Sequence, residues 1–117
     1  MKDIMNMPIN SMISSARVQG TNVYNPDGDK LGTIDHLIIN KFTGQVHYAV
    51  MEFGGFLGIG SDRYPIPWRR LIYDKGLGGY VIPLSTPQLE GAPRYSKDTA
   101  PAYDEAYGAA VNAYYGA

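Results

Sequence analysis

Between residues 16 and 84 the apolar positions come in short runs with a period near two, broken by glycine, proline, asparagine and aspartate. That rhythm predicts strands and turns. Asn25-Pro26-Asp27-Gly28 separates two β-rich runs. Pro26 presets its own φ and Gly28 tolerates a positive one, so a hairpin turn is expected there. In "KLGTIDHLIIN" the inward parity set by Ile34 changes by Leu37, which predicts a bulge at Asp35 and His36. "KFTGQ" turns the chain into "QVHYAVMEF". There Val46, Tyr48 and Val50 share one face, and His47, Ala49, Met51 and Phe53 the other. Both faces are partly apolar, so this strand is expected at the centre of the sheet, covered on its outer side as well. Pro65 and Pro67 make "RYPIPW" extended and suit a sheet margin. "RLIYD", a turn over residues 75–79 and "YVIPL" form a last hairpin. Five or six such strands predict a small antiparallel β-barrel.

Beyond Leu84 the period changes. "STPQLEG" reads as a short helix with Thr86 as N-cap, Pro87 at its first position and Gly91 as its stop. "APRYSKDTAP" reads as a loop. In the tail, Tyr103, Ala106, Tyr107, Ala110, Val111, Tyr114 and Tyr115 fall on one helical stripe, with Asp104, Glu105 and Asn112 off it. A helix this short is marginal alone in water, so the stripe is expected to lie on its own barrel, on a second copy, or on another protein. The expected organisation is a loose arm over residues 1–14, a barrel over 15–84, and an extension over 85–117 with short helices.

Composition narrows the function classes. Ten Lys and Arg against eleven Asp and Glu leave a formal charge of -1 in 117 residues. Such a balance offers no general attraction to nucleic acid or anionic lipid. With no cysteine, disulfides and thiolate chemistry are out of the question. The first twenty residues are broken by Asp3, Asn6, Pro8 and Asn10, unlike a signal peptide or a membrane span, and a cytoplasmic protein is expected.

The stretch "GGFLGIG", Gly54 to Gly60, lacks the Lys and the following helix that a phosphate loop needs. Its glycines are expected to serve a tight connection. Phe56, Leu57 and Ile59 then plug a barrel end or stay exposed to dock a partner. His36 and His47, with Asp35 and Glu52 near in sequence, lack the spacing of a metal or catalytic site. Arg17, Arg63, Arg69, Arg70 and Arg94 form a basic patch only if the fold brings them together.

Taken in order, several of these residues are shared with one family. Gly20 and Val23 open the pattern, followed by Asp27-Gly28 and Leu31-Gly32. Gly44 then leads into Tyr48-Ala49-Val50, and Phe53-Gly54-Gly55 precedes Pro65 to Trp68. Together they resemble the PRC-barrel domain, named after the cytoplasmic β-barrel of the photosynthetic reaction centre H subunit. Standalone bacterial members look similar through "LEGAP", Leu89 to Pro93, and the terminal "YYG", Tyr114 to Gly116. The resemblance implies a barrel that works as a protein-contact module; the residues themselves point to no cofactor, metal or catalytic site. It carries over neither the H subunit's place on a membrane complex nor the ribosomal role of a 16S rRNA maturation factor's barrel.

The expected function is therefore a non-enzymatic, homodimeric adaptor that docks on another protein or complex. Its expected contact residues are Phe56, Leu57, Ile59, Trp68, Tyr103, Tyr107, Val111, Tyr114 and Tyr115. An accessory role in RNA metabolism or ribosome maturation, and a barrel that holds a small ligand, stand as alternatives.

Overall fold

A computed structural model describes residues 11–54 and 62–117. Its frame is a seven-stranded sheet with short helices. Strands β1 (Asn22–Tyr24), β2 (Lys30–Ile39), β3 (Val46–Phe53) and β4 (Asp62–Pro67) form an antiparallel run. A 3-10 turn, Trp68–Arg70, leads to the hairpin of β5 (Ile72–Asp74) and β6 (Gly79–Val81). β7 (Tyr95–Ser96) is a two-residue strand, and the sheet order is β5-β6-β1-β2-β3-β4-β7. The helices are α1 (Ser15–Val18), α2 (Thr86–Glu90) and α3 (Glu105–Tyr115).

Local chemistry explains most of this. Asn25 Oδ1 accepts from the backbone N–H of Asp27 and Asp29, and Gly28 takes a φ of 87°, so the turn is fixed by the residues that predicted it. The register slips between Ile34 and His36, where the parity change called for a bulge. β3 lies between β2 and β4 and buries every residue from Tyr48 to Met51. β4 bears Pro65 and Pro67 in the stretch that has β3 on one side only, because β7 meets just Asp62 and Arg63. A proline lacks the N–H that a second ladder would use.

The sheet is not hydrogen-bonded into a closed ring, but it curls. Trp68, just past β4, stands 5.8 Å between ring centroids from Tyr80 on β6, although four strand-to-strand steps separate β4 from β6 in the order given above. Val18, Val23, Ile34, Ala49, Met51, Ile66, Ile82, Leu89, Val111 and Tyr115 share one core, so the curl encloses side chains from both halves of the sheet. Burial of this apolar surface is the main force holding the curl.

Four details differ from the sequence reading. The described residues form seven strands, because Tyr95 and Ser96, inside the expected loop, pair with β4. The sheet is not wholly antiparallel. β6 runs parallel to β1, with Val23 opposite Tyr80 and Tyr24 opposite Val81. A Cβ on Gly79 would lie 2.4 Å from the carbonyl oxygen of Asn22, so glycine is what lets these backbones meet. A helical turn, α1, precedes β1 where strand was expected. It is capped by Ser14, whose Oγ accepts from the Ala16 N–H. Finally, Ser85 rather than Thr86 caps α2, which moves Pro87 to the second position. Only Ser85 stands three residues before Gln88, and the two close a capping box.

Candidate interaction surface

Asp104 starts α3 by accepting from the Tyr107 N–H, and Gly116 ends it with a left-handed φ of 67°. The helix lies against β4 of its own chain. Its buried line runs Tyr107, Val111, Tyr115, with Tyr103 continuing it just outside the helix. Ala106 and Ala110, on the wider stripe drawn from the sequence, are exposed. Spacing by four alone keeps to the strip of helix that touches the sheet.

Around that line the tyrosines form a packed cluster. Tyr103 lies 5.7 Å from Tyr48 and 5.3 Å from Tyr107, and its hydroxyl is 2.6 Å from that of Tyr95. Tyr48 thus has its outer side covered, as the two-faced apolar pattern of β3 implied. Burial pushes the phenol pKa of Tyr103 and Tyr115 far above its ordinary value, with neighbouring tyrosines adding to the effect. Burial also raises Tyr64, Tyr80 and Tyr107. The helix end is fastened twice. Tyr114 donates to the Gln88 carbonyl at 2.5 Å, and an Arg70 Nη2 donates to the Gly116 carbonyl, setting a cation at the negative end of the helix.

The expected contact residues therefore fall into three groups. Phe56, Leu57 and Ile59 lie outside the described residues. Val111 and Tyr115 are buried in the core, with Tyr103 and Tyr107 half-buried beside them. Tyr114 is 41% exposed and Trp68 half-buried, so these two keep outward-facing surface.

Apolar surface also lies where the sequence reading did not place it. On the edge strand β5, Ile72 is 69% and Tyr73 56% exposed, with Leu77 exposed in the turn beyond. Phe42, at the turn between β2 and β3, is 88% exposed with the Lys41 ammonium 5.6 Å from its ring. "RLIYD" was legible as a strand, but nothing in it says that no described strand pairs with its outer side.

The polar candidates are dispersed. His36 Nδ1 hydrogen-bonds Asp35 Oδ2 at 2.7 Å. The buried Arg63 reaches Asp35 and Glu52, each at 3.7 Å, and Arg94 pairs with Asp62 at 3.1 Å. Arg63 and Arg94 thus serve separate carboxylates. Among the described residues no three His, Asp or Glu side chains group as metal ligands, and no helix is long and apolar enough to cross a membrane.

One groove combines several of these elements. Gln45, Val46, His47 and Tyr48 from the start of β3, Pro67, Trp68 and Arg69 beyond β4, and Asn112 of α3 line a cleft of about 620 Å³.

No curated protein matches the chain. Among solved structures it is similar to a putative 16S ribosomal RNA processing protein, RimM, from Pseudomonas aeruginosa. The two share 17% identity and a TM-score of 0.43, over 69% of this chain and 50% of the other. The chain thus spans half the length of that structure. The PRC-barrel domain model matches residues 10–89, well over half of the sequence, and the curled sheet described above is of that kind. The chain belongs to the PRC-barrel domain family.

Proposed function

We propose that this chain is a non-enzymatic interaction module that self-associates and docks on another protein or complex, in the cytoplasm. In this reading the barrel of residues 15–84 and its extension over 85–117 act as one unit. The observation that carries it is the open edge of β5. An edge strand presents unpaired N–H and C=O groups that template a further strand. Here that edge carries Ile72 and Tyr73 with more than half of each exposed. Isolated exposed apolar residues are ordinary, but two on an edge that no described strand covers, with Leu77 at the adjoining turn, form a contact strip.

The tyrosine tail, the other expected contact, is engaged with its own barrel and leaves Tyr114 as its outward residue. Pairing through β5 then suits a symmetric dimer, the commonest oligomer. Light scattering of the full chain tests it. The expected result is a dimer mass that falls to a monomer in Ile72→Lys, which sets a charge on the edge without touching the core. A monomeric parent chain at high concentration would sink self-association. Affinity capture with the parent chain and with Ile72→Lys tests docking, which predicts protein partners lost from the variant.

A further inference from the structure

We propose that the cleft between β3, the Trp68–Arg69 turn and α3 binds a small planar anion, an aromatic ring carrying a carboxylate or phosphate. The volume, about 620 Å³, falls in the range of small-molecule sites. Its wall supplies one element for each part of such a ligand. Trp68 packs on Tyr80 and still lines the cleft, so a braced indole is available to stack on a ring. Arg69 is exposed, and its guanidinium suits a carboxylate or phosphate. Gln45, before β3, and Asn112, on α3, bring two amides, and His47 brings a ring nitrogen.

Two further observations point to an anion. No carboxylate is among the described residues that line the cleft, so Arg69 acts unopposed by them. Among the described residues, the side chains of Gln45, His47, Trp68, Arg69 and Asn112 make no hydrogen bond or ion pair with one another or with any neighbour. The other arginines beyond β3 are held, Arg63 and Arg94 by carboxylates and Arg70 by Gly116. Arg69 alone of these keeps its donors for an outside group. The site needs the tail in place, because Asn112 arrives on α3. This inference is independent of the β5 edge.

Trp68 is the single tryptophan of the chain, so its emission reports on the cleft directly. The full-length protein is titrated with phenyl phosphate and with benzoate, against benzyl alcohol and inorganic phosphate. Side-chain amide NMR signals of Gln45 and Asn112 serve as the second readout. A saturable change in Trp68 emission with one or both ring-bearing anions is expected, together with shifts of both amides. Which anion binds tells a phosphate from a carboxylate source. Arg69→Ala should weaken that binding about tenfold or more, as loss of a charge-assisted hydrogen bond does, while leaving the melting curve unchanged. Benzyl alcohol and inorganic phosphate should bind weaker than the ring-bearing anions by a similar factor. Failure of both anions to move Trp68 or the amides overturns the proposal. Equal binding of the neutral ring, or an unaltered affinity in Arg69→Ala, overturns it too.

Discussion

Single positions in this barrel are decided by how closely backbones approach. A Cβ on Gly32 would sit 2.1 Å from the Glu52 carbonyl oxygen, a main-chain atom in the neighbouring strand that cannot swing away. Gly32→Ala should therefore destabilise the chain by about 3 kcal/mol or more, read from chemical denaturation. A loss under about 1 kcal/mol would mean that β2 and β3 separate more easily than their register implies. Here the sequence was only half informative. Gly32 stood out beside Leu31 in the family pattern, yet attention fell on the glycine run at Gly54 to Gly60, because density of glycines is visible in a sequence and proximity is not. Tyr115 makes the same point for a side chain. Its place on an apolar stripe was readable, but not that its buried hydroxyl would have no hydrogen-bond partner among the described residues.

Among elements, those whose cause is local were the readable ones. The Asn25–Gly28 turn, the bulge at Asp35 and the margin position of Pro65 and Pro67 each follow from a few adjacent residues. β7 and the parallel pairing of β6 with β1 do not. Two- and three-residue strands carry no measurable period, and their partners lie far along the chain. The tail was readable as a helix with a tyrosine stripe, while its docking partner was decided by packing. Because Val111 is fully buried in the shared core, Val111→Ala should cost about 2 kcal/mol in denaturant melts. A helix that served only a partner would leave the isolated chain's stability unchanged by that substitution.

Over the whole molecule the tyrosine cluster links stability to alkaline pH. Tyr103 and Tyr115 hold their protons well above the ordinary value of 10.0, whereas the unfolded chain ionises near it. Below that pH both states are protonated and the stabilisation is complete. Above it the unfolded chain loses protons that the folded one retains, so stability falls, by at most about 1.4 kcal/mol per pH unit for a buried group such as Tyr115. Melts across this range should show the decline, and Tyr115→Phe should make it shallower. At neutral pH that variant should stay within about 1 kcal/mol of the parent, since the hydroxyl it removes has no partner among the described residues. An identical alkaline decline in both proteins would place the buried phenol elsewhere.

The prolines of β4 have a bearing on stoichiometry. A sheet that could add strands at both margins would grow by head-to-tail addition into a filament. Here Pro65 and Pro67 withhold donors along one margin, and α3 and β7 lie against the same strand. Under the proposed pairing through β5, joining two copies would use up that side of each, and the assembly would stop at two.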